Sequence, residues 1–391
     1  MGRIIYVTRS GVEDRQQCPR LSFLSTAYPI DGAPRGLQRR TAALPLLRGT
    51  TAHAAFARVL MGWDLTKTIE TMKAEYRAEV ELKGVHGIEQ DQKERFITEQ
   101  LHLMECVLRG WYRVRLPLIL EEEDPVAIEQ EWQWEMAPGV VEPMRFDYIG
   151  RRKDTGMLVV RDWKSASSIS DDWAVKFEHD LQTNLYVLAL AEFTGEVVDG
   201  ITYEGLLVGS YKKETARNVP WSGEKIQQSP YCYGYMLPDS GGNGLHFMQS
   251  EYTAKKGWVK FRVPGVVDPA IWVDQLDSED RLAGMFTTVP SLHPPPFEMD
   301  SIRRQVVSQE LKWHEQLDHY YELLKDGADD EAERFLDLFA PQHTSRCVKF
   351  GADNRCAFYG TVCFTEGTSP LEDGMFEPRE SHHNVEENVT L

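Results

Sequence analysis

The chain has 391 residues, 42% hydrophobic and 27% charged, with a formal net charge of −18. That length supports one large α/β domain with insertions, or two modest domains, around a sizeable core. The net charge argues against a protein whose whole surface grips nucleic acid. No apolar stretch reaches the length of a membrane span. The opening MGRIIYVTRS carries no apolar run or cleavage signal, so a cytoplasmic location is expected.

Charge is unevenly distributed. Residues 1–60 hold nine arginines (3, 9, 15, 20, 35, 39, 40, 48 and 58) against Glu13, Asp14 and Asp31, which offers a local surface for phosphate. Residues 365–391 hold seven acids and one arginine with no helical or strand period. They are expected to form an acidic, disordered tail.

In chain order, TTAHAAFARVLMG (50–62) predicts a helix capped by a threonine. Residues 64–115 carry Glu, Lys, Leu and Met at helical spacing and predict two or three helices. VAIEQEWQWEM (126–136) alternates as a strand does, and MRFDYIGRRKDTGMLVVRDWKSA (144–166) reads as two strands around a turn. Residues 172–194 predict one amphipathic helix stopped by Gly195, and 201–211 a strand. Residues 215–255, rich in Gly, Ser, Pro and Tyr, read as a long excursion before strand character resumes at 258–263. Helices are predicted over 268–287, 300–326 and 329–339, with a Pro-rich loop at 290–296. This order implies an α/β core wrapped by helical flanks.

Two acids and a lysine stand at the ends of strands that otherwise read as core. Asp147 closes the first strand of the 144–166 pair, and Asp162 and Lys164 follow the apolar run Met157–Val160 in the second. A hard divalent cation takes carboxylate oxygens, and phosphodiester hydrolysis needs charge held against the phosphoryl oxygens. Residues two apart in a strand share a face, so Lys164 points where Asp162 points. Strand ends then give a metal site rigidity. A lone D-x-K is a weak signal that chance supplies often, so its neighbours matter. Gln182 and Tyr186 lie one helical turn apart on one face. His53 lies in the first turn of its helix, and a neutral imidazole ligates metals. Glu129 and Glu131 share a face of the preceding strand, and either is a candidate further carboxylate. Trp132 and Trp134 are candidates for base stacking.

Gly49–His53, Asp147, Asp162–Lys164 and Gln182–Tyr186, in that order, resemble the PD-(D/E)XK nuclease superfamily, in particular its RecB-like exonuclease branch. In that branch a helical Gly-x-x-x-His precedes a strand acid, an Asp/Glu-x-Lys and a helical Gln-x-x-x-Tyr. The resemblance covers roughly residues 45–210. It departs at Met144, where the family often has glycine, and at Ser165, where it often has threonine. It implies a restriction-endonuclease-like core with a mixed sheet flanked by helices. It further implies that His53, Asp147 and Asp162 bind Mg²⁺ or Mn²⁺, that Lys164 assists hydrolysis, and that Gln182 and Tyr186 support the site or the strand.

Cys347, Cys356 and Cys363 fall close together, with Cys18 far upstream and followed by Pro19. In a cytoplasmic protein, clustered thiols point to a metal rather than to disulfides. Their wide spacing favours an iron–sulfur cluster over Zn²⁺, whose ligands usually come in tighter pairs. AddB-type and CRISPR-associated members of the same branch carry one cysteine before the core and three after it. The resemblance therefore implies a [4Fe–4S] cluster tying the first helix to the last segment. Cys106 and Cys232 read as ordinary thiols.

The resulting expectation divides the chain into four parts. They are a basic segment with the first cysteine (1–48), a nuclease core (49–287), a helical and cysteine-bearing segment (288–364) and the tail. The expected function is a metal-dependent DNase, more an exonuclease than an endonuclease. It would act on single-stranded or frayed DNA in recombination, repair or phage and defence processing. With no helicase motif present, unwinding would come from a helicase or recombination partner. The rival reading is a catalytically silent nucleic-acid-binding or assembly module on the same core.

Overall fold

A computed structural model of the chain describes residues 4–41, 44–84, 93–166, 171–178, 180–207, 227–238, 245–253, 257–262, 268–278 and 282–343, then 347, 356, 358, 362–363, 370–371 and 375–379. The chain opens with β1 (Ile5–Tyr6), α1 (Arg9–Gln17) and α2 (Pro19–Ser22), then a π-helical turn and the short strands β2 (Pro29–Ile30), β3 (Ala33–Pro34) and β4 (Leu37–Arg39). Four helices follow: α3 (Leu44–Leu60), α4 (Leu65–Lys83), α5 (Lys93–Val114) and α6 (Leu116–Glu122). The central run is β5 (Glu123–Ala137), β6 (Val140–Arg152), β7 (Leu158–Ala166), α7 (Asp171–Val175), α8 (Leu181–Thr194) and β8 (Val198–Leu207). Next come β9 (Gln227–Pro238), β10 (Leu245–Thr253), β11 (Gly257–Arg262), α9 (Pro269–Ser278), β12 (Phe286–Leu292), α10 (Pro296–Lys325), α11 (Asp329–Phe339) and β13 (Phe376–Pro378).

A mixed six-stranded sheet organises the fold. β6 is its hub, pairing antiparallel with β5 along nearly its whole length and, on its other side, antiparallel with β7 and parallel with the two-residue β1. β7 and β8 are parallel, joined over α7 and α8, and β12 closes the edge antiparallel to β8. β7 is buried on both faces from Leu158 to Trp163, which explains why its sequence is continuous rather than alternating. One face packs on α3, α4 and α5 through Phe56, Trp111 and Trp163. The other face packs on α1, α8 and α10 through Phe146, Val160, Leu185, Tyr203 and Val306. A third apolar cluster joins the two ends of the chain, Phe23, Leu37, Trp313, Tyr320, Leu336, Phe358 and Phe376 among its members.

The buried Arg161 ties four strands and helices together. Its guanidinium donates to Glu123 at 2.8 and 2.6 Å and to Glu204 at 2.5 Å, and Arg115 adds two bonds to Glu204. A charge buried this deeply persists because it is paired and hydrogen-bonded to the carboxylates of Glu122, Glu123 and Glu204.

Several elements differ from the sequence expectation. The first long helix starts at Leu44, so Thr50 lies inside it rather than at its cap. The helix expected over 172–194 is two. Asp180 caps α8 by accepting from Gln182 N–H, and the Thr183 hydroxyl bonds the Phe177 carbonyl, so the backbone groups freed by the break are satisfied. Gly195 does end α8, in the left-handed conformation at φ 66°. Within 268–287 the helix stops at Ser278 and Phe286 begins β12, which takes in part of the Pro-rich loop. The excursion contains β9 and β10, which with β11 form a three-stranded sheet in the order β11-β10-β9. Inside the expected tail, Phe376–Pro378 pair with Leu37–Arg39, because Phe376 is buried and stacks on Phe358 with ring centroids 5.1 Å apart. Residues 208–211 and 380–391 lie outside the described residues. Among the described residues no helix is long and apolar enough to cross a membrane.

Candidate active site

The site forms where the sheet forks. β6 and β7 are paired from Arg151 and Leu158 only as far as Tyr148 and Arg161. Beyond that pair β7 runs on against β8 alone, Asp162 opposite Tyr203. β1 takes the vacated side of β6 further along, at Val140 and Val141. Asp147 and Asp162 are thus the first residue of each strand past the fork, and their carboxylates share one gap.

Each side chain in the gap is held by a named partner. Asp147 Oδ2 accepts the Trp163 backbone N–H at 3.1 Å and lies 3.1 Å from His53 Nδ1 on α3. Asp162 Oδ2 lies 2.5 Å from Lys164 Nζ, and Asp162 Oδ1 accepts from Gln182 Nε2 at 2.6 Å. Gln182 Oε1 accepts from Lys164 Nζ at 2.9 Å. Lys164 also lies 5.6 Å from the centre of the Tyr203 ring. The Tyr186 hydroxyl donates to the Arg145 carbonyl at 3.0 Å, so it braces β6 two residues before Asp147, and the charges of Asp162 and Asp147 reach it.

Of the two candidate glutamates, Glu129 reaches the gap. One ligand atom each of His53, Glu129 and Asp147 lie within 4.8 Å of one another. Glu129 adopts φ 47°, a left-handed conformation rare outside glycine, and Arg145 Nε lies 3.1 Å from its carboxylate. Glu131 sits opposite Arg145 and is absent from that group. Met144, at the position often held by glycine, is buried in the core.

The electrostatics describe a site short of positive charge. Burial opposes ionisation of all three acids. For Asp162 it outweighs Lys164, and with the charge of Asp147 it raises the carboxyl above its ordinary range. Glu129 is raised by burial and by Asp147. Asp147 ends below its ordinary range, because His53, Lys164 and the Trp163 N–H outweigh its burial. Burial works against the His53 imidazolium, but Asp147 raises it. His53, Glu129 and Asp147, two carboxylates and an imidazole with ligand atoms within 4.8 Å of one another, fit a divalent cation by donor type, while Asp162 stands beside them paired with Lys164 and Gln182.

Three features were not legible in sequence. Arg9, at the start of α1, donates to Gln182 Oε1 across 173 positions. The Trp163 N–H that orients Asp147 carries no side-chain signal. Lys176, in the turn before α8, lies with its Nζ 5.4 Å from the Trp173 ring and 4.6 Å from the Phe177 ring. Burial and the charge of Lys164 lower its pKa. Trp134 does not present a face for bases, and Trp132 is half-buried. Trp134 is 3% exposed and bonds Glu192, and Trp132 packs against Phe146 and Phe193.

The cysteines lie at the junction of the chain ends. Cys18 caps the C-terminus of α1, and Cys18 and Cys347 are buried. Cys356 N–H donates to the Cys347 carbonyl at 3.2 Å, and His343 pairs with the Gln17 carbonyl at 3.0 Å. Burial and the neighbouring thiols of Cys356, Cys347 and Cys18 push Cys363 up to about 12. Cys347 is raised by burial, Cys356 and Cys18. Cys347 and Cys363 thus each feel other thiols of this junction, but the four are not among the groups of described residues whose ligand atoms lie within 4.8 Å of one another.

A forked mixed sheet with an acid on each branch and a lysine two residues past the second is the architecture of a restriction-endonuclease-like core. The chain belongs to the PD-(D/E)XK nuclease superfamily, whose family model matches residues 6–283. That span begins well before the motif residues and takes in α1 and Cys18. No curated protein matches the chain.

Proposed function

We propose that the protein is a Mg²⁺- or Mn²⁺-dependent deoxyribonuclease, acting as an exonuclease on single-stranded or frayed DNA ends in recombination, repair or phage and defence processing. The observation that carries this reading is the bridge from Asp162 through Gln182 to Lys164, facing Asp147 and His53 in the gap of the sheet. Nucleic acid as substrate follows from superfamily membership. The preference for single-stranded ends, a helicase or recombination partner and a cytoplasmic location are part of the same proposal.

His53, Glu129, Asp147 and Asp162 would hold the ion, which when bound supplies charge against the phosphoryl oxygens and acidifies water. Asp147 is kept in orientation by Trp163 N–H and His53. Lys164 is held from two sides by Asp162 and Gln182, so its ammonium is fixed in advance where negative charge grows on the phosphoryl group. Tyr186 holds the β6 backbone beside the site.

The test is degradation of 5′- and 3′-labelled single strands with Mn²⁺ and with EDTA. Metal-dependent release of mononucleotides from an end supports the exonuclease, and internal fragments make it an endonuclease. Asp162→Ala or Lys164→Ala protein that degrades DNA at the wild-type rate ends the proposal. A chain that retards DNA in EDTA and never cuts it is the silent module instead.

We also infer that Cys18, Cys347, Cys356 and Cys363 hold a [4Fe–4S] cluster that staples the chain ends. The support is that Cys356 and Cys363 pack against the third apolar cluster and that Cys18 and Cys347 are near enough to act electrostatically on Cys363. Anaerobic purification and metal analysis decide it. Iron with a brown colour supports the cluster, zinc in colourless protein replaces it with a Cys₄ zinc site, and neither metal removes both.

A further inference from the structure

We propose that Arg9 is a positioning residue of the active site, locking the Gln182 amide in the orientation that holds Asp162 and Lys164 together. The inference rests on the nuclease reading above and adds a residue to it.

Arg9 reaches the gap because of the fork. After β1, Val7 still donates its N–H to the Val141 carbonyl at 2.8 Å, and Thr8 then caps α1 by accepting from Gly11 N–H at 3.2 Å. α1 therefore starts beside the stretch of β6 that β7 has left, with Arg9 as its first residue. The guanidinium donates to Gln182 Oε1, and its Nε lies 3.3 Å from Glu13 Oε1 one turn along. The helix that carries it is anchored. Val12 is 1% exposed in the core, and Arg15 pairs with the buried Glu310 and lies 5.1 Å over the Trp313 ring.

The amide has one orientation that satisfies its surroundings. Gln182 Oε1 faces Arg9 and Lys164, which only donate, and Nε2 faces a carboxylate oxygen of Asp162, which only accepts. Turning the amide over sets its NH₂ against two cations and its carbonyl against a carboxylate. Gln182 is 3% exposed, so solvent offers little replacement. Without Arg9, Lys164 is the one remaining donor to Gln182 Oε1 among the described residues, and Lys164 is shared with Asp162, which itself accepts from Nε2. Arg9 touches no reacting atom. It acts through Gln182 on the two groups that do.

The experiment compares kcat and KM of the full chain with Mn²⁺ on a single-stranded oligonucleotide, for wild type, Arg9→Ala and Arg9→Lys. Arg9→Ala is expected to lower kcat about 10- to 100-fold with KM within about 2-fold, the signature of lost positioning. Arg9→Lys, which keeps a cationic donor, restores most of the rate, and added guanidinium recovers part of it in Arg9→Ala. Should Arg9→Ala not fold, Arg9→Met keeps the apolar stem and is expected to show the same loss. A wild-type kcat in these variants overturns the inference. So does a raised KM at unchanged kcat, which makes Arg9 a strand-binding group. Wild-type protein that never cuts DNA overturns the nuclease reading and this inference with it. Loss of cutting in Asp162→Ala beside full activity in Arg9→Ala overturns this inference alone.

Discussion

Trp163 gives its backbone N–H to Asp147 Oδ2 at 3.1 Å, bridging the point where β6 and β7 part. The bond uses the carboxylate oxygen that also faces His53, leaving Oδ1 for a cation. Asp147→Asn keeps an acceptor for Trp163 and turns an NH₂ toward the ion. The fold should survive, with unchanged circular dichroism. Mn²⁺ affinity should fall about 10- to 100-fold and cleavage on the order of 10³-fold. Titration calorimetry with Mn²⁺ beside a cleavage assay measures both, and wild-type Mn²⁺ affinity in Asp147→Asn would refute the ligand role.

Glu129 sits in the site at φ 47°, and Glu131 does not. A non-glycine residue held left-handed costs about 1 kcal/mol or more. That strain should be released in Glu129→Gly, whose thermal midpoint is expected to match or exceed wild type while its Mn²⁺ affinity drops. Glu131→Ala should leave Mn²⁺ affinity unchanged. Equal effects of the two substitutions on metal binding would remove Glu129 from the site.

The residues that were legible in sequence are those whose chemistry sits in a local pattern. Asp162 and Lys164 share a face because a strand has period two, and Gln182 and Tyr186 because a helix has period 3.6; the structure adds that Gln182 faces the acids while the Tyr186 hydroxyl braces β6. The choice between Glu129 and Glu131 was not legible, because both share a face until a left-handed residue turns one of them. The helix break before α8 depended on Asp180 capping and on Thr183 reaching Phe177, signals that an unbroken apolar period over 172–194 conceals. Arg9 was out of reach for a different reason: a fork in a sheet brings together segments whose pairing no local pattern records. Trp134 went the other way, since a strand tryptophan looks the same whether it faces core or solvent.

Lys176 stands at the rim of the site, its charge close enough to Lys164 for the two to repel. A cation kept beside another cation gains most when a phosphate lies between them. Lys176→Ala should weaken binding of single-stranded DNA and reduce the slope of log affinity against log salt by roughly 0.7 to 1. It should leave the maximal cleavage rate within about 2-fold, because Lys176 does not touch Asp162 or Gln182. Binding measured by fluorescence anisotropy from low to moderate salt checks this, and an unchanged slope would exclude the phosphate contact.

Glu142 gives the stability of the fold its own pH dependence. It is 3% exposed on β6, and its Oε2 has no hydrogen-bond partner among the described residues. Burial pushes its carboxyl up to about 8, with Arg9 offsetting only part of that rise. The folded state therefore holds a proton that the unfolded chain releases near pH 4.5. Stability from this group is full below that value, falls as pH rises toward about 8, and is level above it. At about 1.4 kcal/mol per pH unit, the loss across that window is on the order of a few kcal/mol. Asp14, raised by burial to about 6, adds a smaller loss of the same sign below that pH. Glu142→Gln keeps the shape and removes the proton. It should match wild type near pH 5 and melt several degrees higher at pH 8.5. Thermal denaturation of both proteins at the two pH values measures the difference, and an equal offset at both would show that the Glu142 carboxyl does not titrate in this range.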